Sequence, residues 1–410
     1  MSAGLLIEET PLSVRIARVE DDEVTALRHW FPGRADPMLG ALYRAKVTDV
    51  DKRLGAVYLD LGRAKGFLRR SGPLPDVGRT LIVEVKRETI GTKGADVTDK
   101  PVLRGAMTSW RIGDEEERAG PLGEEAFPAE FKAKLTPEGP IGLIDPFAPL
   151  SRLMLGLLTS DVSFIEVTRA DTRSRLAAGM PSDFPIDVGP ARGLAEWLDA
   201  AEEEALDRSH DLPGGGRLII EETEALFAVD LDLGSQGGQS KKGAGTKLLG
   251  EALSTLGRIG GVMGLGGQII IDVPRGAIAA PKIVRDQITR ALKPLGRVSV
   301  PAVTPEGLCT IIAPRPRPSL REILTEPGTD TFPGRRFRAD VIAAKAFRAA
   351  ERALEDNRTS QVTLFVTQRA IALLDEAGSP MHDLTARFGP RLRVESLGDG
   401  DPHGDFHVKA

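Results

Sequence analysis

Hydrophobic and polar positions alternate most regularly between Leu39 and Thr98, where LGALYRAKVTDVD, GAVYLDLG, KGFLRRSG and TLIVEVKRE form short β-branched or alternating runs separated by Gly, Asp and Pro. A period of two broken this often predicts a small all-β barrel, with an OB-type barrel as the natural candidate. From Arg111 to about Leu135 the period lapses into DEEER, GEE and scattered Pro and Gly, which predicts a loop or irregular connector. Helical spacing follows within 186–208: Leu194, Trp197, Leu198 and Ala201 recur on one side before the breaker PGGG, as expected of a surface helix. RLIIEETEALFAVDLDLGS predicts two strands in a hairpin around Glu222 to Glu224, opening onto the polar, Gly-rich GSQGGQSKKGAG.

Residues 246–258 have helical spacing, GGQIIIDVPRG reads as a buried strand ending in a carboxylate, and AAPKIVRDQITRALKPLG as a second amphipathic helix, so strands and helices alternate. RPRPSLREILTEPGTDTFPGRR, rich in Pro, Gly and Arg, predicts a linker around one short helix. Beyond it RADVIAAKAFRAAERALEDN and QRAIALLDEAG predict helices, and QVTLFV and RLRVESL predict strands, together a small α/β appendix. No internal repeat is visible.

Length changes this picture little: 410 residues exceed one ordinary core, so several domains are expected. The apolar fraction of 41% with 28% charge is globular, and no apolar run reaches the roughly 18 residues of a membrane span. The opening MSAGLLIEETPLSVRIARVED acquires charge at once and lacks a secretory pattern, so a cytoplasmic protein with no membrane partner is expected. The single cysteine, Cys309, excludes an internal disulfide and any Cys-built zinc site within one chain, and is expected as a small buried hydrophobe. With 54 basic against 59 acidic residues, a nucleic acid would have to meet a local basic patch. The stretch 39–98 supplies one, with 12 Lys plus Arg against 7 Asp plus Glu.

Asp230 and Asp232 lie two apart on a strand, so both carboxylates project from one face. Asp272 ends the apolar run QIIID, where a charge is costly unless it points into a polar site. If the two strands are neighbours, three carboxylates converge, and a divalent cation such as magnesium relieves their repulsion and suits phosphodiester cleavage. Solvated strand-end aspartates are the bland alternative. Glu221, Glu222 and Glu224 read as a solvated hairpin tip. Lys241, Lys242 and Lys247, in or after the Gly-rich loop, are secondary candidates for an RNA phosphate, beside a mobile solubilising loop as the alternative.

Three motifs in order, IGTKGADVT, GGGRLIIEETEALFAVDLDLG and IGGVMGLGGQIIID, resemble those of the ribonuclease E/G family, and the likeness extends from LGALYRAKVTDVDKRLGAVYLDLGRAKGFL to a tail, Arg338 to Val408, similar to the small C-terminal domain of the ribonuclease G branch. The resemblance implies a multidomain α/β protein with an inserted OB-type barrel, a ribonuclease H-like and deoxyribonuclease I-like catalytic region, and a small C-terminal α/β domain. Its expected division is 1–38 and 146–213 for the ribonuclease H-like part, 39–98 for the RNA-binding barrel, 99–145 for a shortened 5′-sensor or connector, 214–320 for the metal-dependent catalytic domain, 321–337 for a linker and 338–410 for the C-terminal domain. It implies that Asp230, Asp272 and Asp232 are catalytic, the first two binding the metal, and that Tyr58, Phe67, Lys86 and Lys93 hold RNA. The chemistry implied is magnesium-dependent (manganese is possible) endonucleolytic hydrolysis of single-stranded RNA in the processing or turnover of rRNA and mRNA, with an RNA-binding protein of weakened or lost activity as the alternative. For Tyr58 and Phe67, ordinary barrel-core aromatics remain the alternative.

Four departures from the family pattern qualify this. The family's Asn after the first Asp is here Asp232, the arginine-rich helix end is GRIGGVMGLGG with only Arg258 charged, and the 5′-sensor segment between Thr98 and about Asp145 is shortened, leaving its Arg and Thr without assigned counterparts. The Cys-Pro-x-Cys zinc link is replaced by TEPGTDTFPG, so neither zinc nor a zinc-bridged tetramer is expected, and a homodimer through other surfaces stays open.

Overall fold

In the computed structural model, residues 3–34, 37–123, 126–145, 149–189, 191–232, 244–273, 281–332, 334–357, 359–375, 380–397 and 404–409 are described. Strands β1 (Ala3–Glu9), β2 (Val14–Glu20) and β3 (Glu23–Trp30) form an antiparallel meander. Alternate side chains point to opposite faces, and both faces are covered: Leu5, Ile7, Val14 and Ile16 enter one core, Leu6, Ala17, Val19 and Leu27 another. Asp21 and Asp22 make the β2–β3 turn at φ of 50° and 64°, a left-handed conformation that Asp tolerates.

Five strands then close a barrel: β4 (Leu42–Asp51), β5 (Ala56–Asp60), β6 (Lys65–Arg69), β7 (Thr80–Arg87) and β8 (Ala95–Thr98). They run in the order β4-β5-β6-β8-β7, and β7 pairs back onto β4, which removes the free edges. Val47, Val57, Leu59, Leu68, Val83, Val85 and Val97 fill its interior.

The connector expected to be irregular is more ordered than its composition suggests. It holds β9 (Val102–Arg104), β10 (Thr108–Arg111) and β11 (Arg118–Ala119) in one small sheet, helix α1 (Ala129–Lys134), and β12 (Gly142–Leu143) paired to β4. Isolated anchors hold it, with Leu103, Phe127 and Leu135 buried against Leu42 of the barrel.

Helix α2 (Pro149–Met154) leads to β13 (Val162–Val167), α3 (Ala170–Ala177), β14 (Ile186–Val188) and α4 (Ala191–Leu206). Parallel pairing of β13 to β1 and of β14 to β13 completes a sheet in the order β14-β13-β1-β2-β3. Helix α4 buries Leu194, Leu198 and Ala201, but Trp197, expected on the same side, is 43% exposed. It is also more deeply packed than a surface helix, because Asp199 and Glu202 on it face other charges in the interior.

The next sheet is built from β15 (Ser209–Asp211), β16 (Arg217–Glu222), β17 (Phe227–Asp232), β18 (Gly267–Asp272), β19 (Ser299–Val303) and β20 (Leu308–Ala313), with α5 (Ala244–Met263) between β17 and β18 and α6 (Pro281–Ala291) before β19. Its order is β15-β16-β17-β18-β20-β19, and β17 pairs with β18 in parallel. Helices α5 and α6 cover one face, where Leu249, Leu253, Leu256, Val284 and Ile288 share a core with Phe227, Val229, Ile269, Ile271 and the buried Cys309. GRIGG lies in α5, where a Cβ on Gly257 would collide with the carbonyl oxygen of Ala291 and one on Gly261 with that of Thr25. Glycine at these two positions lets α5 approach α6 and β3 backbone to backbone.

Helix α7 (Leu320–Leu324) opens on a capping box made by Ser319 and Glu322. The run expected to be a linker then adds a hairpin, β21 (Thr325–Phe332) with β22 (Arg335–Phe337). The last unit comprises α8 (Ala339–Asp356), β23 (Val362–Thr367), α9 (Gln368–Asp375), α10 (Pro380–Phe388), β24 (Leu392–Leu397) and β25 (Phe406–Lys409), in a three-stranded sheet β24-β23-β25 around a core of its own. Among the described residues no helix is long and apolar enough to cross a membrane.

A buried charge network ties the first sheet, α4 and α8 together. Arg15 Nε donates to Glu8 and its Nη1 to Asp199, each at 2.6 Å, while Lys345 Nζ lies 2.5 Å and His29 Nε2 3.4 Å from Glu202. Arg352 reaches Asp199 at 2.6 Å, and Arg348 donates to Ser13 at 3.1 Å. Burial alone would raise the Glu202 carboxyl, but Lys345, Arg15 and Arg348 overcome it and hold it at about 2. Burial and the same three cations push His29 down to about 3, against the pull of Glu202.

Both shifts have one sign. The unfolded chain, whose His titrates near 6.5 and Glu near 4.5, binds more protons than the folded one, so stability is full above 6.5 and falls as pH drops toward 2. Urea-unfolding midpoints should decline below pH 6.5, with a slope of up to about 1.4 kcal/mol per pH unit per proton. A His29→Gln variant should show a shallower decline between pH 6.5 and 4.5, the remainder coming from His210, which burial also holds below its ordinary value; an unaltered profile would show that His29 is charged in the folded protein.

Candidate functional site

In the β16–β17 hairpin Glu222 pairs with Phe227, and the turn is held by Thr223, whose Oγ1 accepts from Leu226 N–H at 3.0 Å. Along β17, Phe227 and Val229 face the helices, which turns Ala228, Asp230 and Asp232 to the other side. On β18, Ile269 and Ile271 are buried and Gln268, Ile270 and Asp272 face the opposite way. The parallel register runs through Val229 against Ile271, so the residues that follow, Asp230 and Asp272, stand at one level on adjacent strands, and both are exposed.

Asp232 shares their face but stands two residues, about 7 Å, farther along β17. There it lies opposite Arg217 of β16 and pairs with its Nη2 at 3.4 Å. The three carboxylates therefore do not close into one cluster, and among the described residues no group of three or more His, Cys, Asp or Glu side chains is placed to hold a metal ion. What the face offers is a pair. Two hard carboxylate oxygen donors, side by side and open to solvent, fit a magnesium or manganese ion that keeps several waters or takes substrate oxygens. Around the pair the face is apolar and open, with Leu308 46% and Ile312 45% exposed on β20.

The neighbouring candidates divide. Glu221 is exposed and paired with Arg208, and Glu224 is exposed in the turn. Glu222 is not a solvated tip: it accepts from Ser319 Oγ at 2.7 and 2.9 Å and from Arg315 at 3.2 Å, and burial, with Glu322 adding, raises its carboxyl above the ordinary value. It fastens the capped start of α7 to the strand, at the end remote from Asp230. Ser-x-x-Glu at 319–322 was the one sequence sign of that capped helix start. Lys247 sits in the first turns of α5, 3.6 Å from Glu251, whose carboxylate accepts from Gly214 N–H at 2.8 Å. Lys241 and Lys242 lie outside the described residues. Arg258 forms a two-pronged pair with Glu204 at 2.7 and 2.6 Å, so the charge left in GRIGGVMGLGG serves packing.

On the barrel, Tyr58 and Phe67 face each other across β5 and β6 with ring centroids 5.7 Å apart in an edge-on arrangement. Neither is a barrel-core aromatic. Val57, Leu59 and Leu68 point inward, so Tyr58, 42% exposed, and the half-buried Phe67 lie on the outer face. Arg69 lies 6.0 Å above the Phe67 ring, and exposed Lys46 and Lys65 pair across the strands with Asp60. In OB-type barrels the second and third strands carry the oligonucleotide surface, and here those strands are β5 and β6. Exposed Lys86 lies 3.3 Å from buried Glu84 on β7, and Lys93 is exposed beyond it.

The model of the family described as Ribonuclease E/G family matches residues 196–300, from within α4 into β19, the stretch that holds both strands of the carboxylate pair. Ribonuclease G of Escherichia coli (strain K12) and that of Shigella flexneri are each 24% identical over 355 residues, covering 66% of this chain and 71% of theirs. Ribonuclease G of Salmonella typhimurium (strain SL1344) is 23% identical over 409 residues, covering 79% of this chain and 82% of its own. The family match falls on the carboxylate-bearing sheet, and together with these relatives it makes the chain similar to the ribonuclease E/G family, ribonuclease G included.

Proposed function

We propose that this endoribonuclease cleaves single-stranded RNA internally, with a divalent cation held by Asp230 and Asp272 and the unpaired strand laid on the outer face of the barrel. The observation that carries the reading is the pair itself: two exposed carboxylates at one level on adjacent parallel strands, a repulsive arrangement that a cation between them relieves. A bound magnesium or manganese ion would supply positive charge beside the scissile phosphate and a water of lowered pKa. Asp230 and Asp272 orient the site, and Leu308, in register with Asp272, and Ile219, in register with Asp230, flank the pair with apolar side chains.

Tyr58 and Phe67 offer rings to successive bases while Lys65, Arg69, Lys86 and Lys93 follow the phosphates, a surface with little sequence demand. In this reading the meander with its two parallel strands is the ribonuclease H-like part, and the sheet β16 to β20 with α5 and α6 the deoxyribonuclease I-like part, with β15 of the preceding segment paired onto its edge. Processing or turnover of rRNA and mRNA is the role that a ribonuclease of this kind would fill.

Cleavage of a labelled single-stranded RNA should require magnesium or manganese, stop in chelator, and vanish in Asp230→Asn and Asp272→Asn while RNA binding persists. Undiminished cutting by either variant would remove these residues from the site, and binding without cutting in any metal would make the protein an RNA binder alone. Phe67→Ala should weaken RNA binding by about 1–3 kcal/mol with the unfolding midpoint preserved. A collapsed midpoint would place the ring in the barrel's structural core.

A further inference from the structure

Asp232 stands where the ribonuclease E/G pattern has Asn, so this chain brings a third carboxylate to a face that must receive a phosphodiester anion. A negative charge added there, left alone, repels the substrate. The residue directly across from it is Arg217, the first residue of β16, in register with Asp232 and paired to it at 3.4 Å. Arg217 has no other ion-pair partner among the described residues, and its side chain remains largely open to solvent. It points to the same face as Asp230 and Asp272, because Leu218 and Ile220 of its strand point into the core and Arg217, Ile219 and Glu221 away from it.

Geometry sets what this arginine can reach. Ile219 is opposite Asp230, so Arg217 is a diagonal neighbour of Asp230, a separation of roughly 7–8 Å between backbones and within the span of a long side chain. A guanidinium has five N–H donors in a planar fork, and one contact of 3.4 Å to Asp232 leaves most of them available. Phosphate matches that fork, and Arg is well suited to binding phosphate in two-pronged fashion.

We infer that Arg217 is a substrate-contacting residue that takes an RNA phosphate next to the scissile one, and that Asp232 is the positioning residue that holds its guanidinium on the catalytic face in place of acting as a metal ligand. The inference rests on the reading of Asp230 and Asp272 as the reaction centre. It assigns Asp232 a role different from the catalytic one that the family resemblance implies, and it makes the pair a unit in which Arg217 neutralises the third carboxylate.

Two measurements that need no turnover test it. The first is binding of a labelled single-stranded oligoribonucleotide in chelator over a range of salt. Arg217→Gln should bind about 5- to 20-fold more weakly at low salt, and its log-log salt dependence should be shallower by about 0.7, the loss of one phosphate contact to a single strand. Arg217→Lys should recover most of the affinity, because the contact is charge first and fork second. The second is manganese binding followed by electron paramagnetic resonance, in which Asp232→Asn should keep the wild-type dissociation constant within about twofold while Asp230→Asn loses binding.

An Arg217→Gln protein with unchanged affinity and salt slope overturns the phosphate contact. A tenfold or larger loss of manganese affinity in Asp232→Asn overturns the positioning role and returns Asp232 to the metal. Failure of the reaction-centre reading looks different: a wild-type protein that binds no manganese and cuts no RNA, whatever Arg217 does to binding.

Discussion

Two parallel strands cannot be joined by a tight turn; the chain must leave the sheet, cross over it and return. That constraint, acting on β17 and β18, organises the catalytic half of the molecule. The crossover contains α5, and α5 must lie close enough to the sheet for the two strands to be neighbours. Leu249, Leu253 and Leu256 seat α5 on that sheet, while Gly257 and Gly261 let its other sides close against the backbone of α6 and of β3. Because the strands run in the same direction, their carboxyl ends stand together, and the aspartates that terminate the apolar runs emerge at one level. A hairpin between the same two strands would have put Asp230 and Asp272 at opposite ends of the sheet.

Much of this was legible in residue order, and the parts that were not share a cause. The barrel, the β16–β17 hairpin and the helices α5, α6, α8 and α9 announce themselves through period, and the two aspartates through their place at the ends of apolar strands. The connector after the barrel hides because Leu103, Phe127 and Leu135 are single anchors with no repeat between them. The β21–β22 hairpin hides because its cross-strand pairs are polar, Glu326 with Arg336 at 3.0 Å for one, in a run whose Pro and Gly read as linker. Glu222 and Glu202 look like solvated acids in one dimension; the serine that holds the first lies 97 positions away. Local pattern reports on faces, and it cannot report on a partner that only the fold supplies.

Charge is arranged at two scales. The chain carries a net charge of −5, yet its barrel is locally basic, so a polyanion is repelled less than the total implies and, in the proposed reading, is drawn to the side of the aromatic pair. At short range the face proposed for catalysis carries the Asp230–Asp272 pair and Arg217 against Asp232. Long-range attraction depends on salt and the short-range pairing depends on register, which separates the surface that gathers the strand from the surface that acts on it.

The buried network around Arg15 draws its members from three widely separated parts of the sequence. Glu8, Ser13, Arg15 and His29 are made first, Asp199 and Glu202 midway, and Lys345, Arg348 and Arg352 only near the end. During synthesis the strands of the first sheet are therefore all present before the cations of α8 that balance its buried acids. The network closes only when α8 docks, so a chain that lacks α8 leaves Glu8 and Glu202 of the N-terminal half without the α8 cations that balance them.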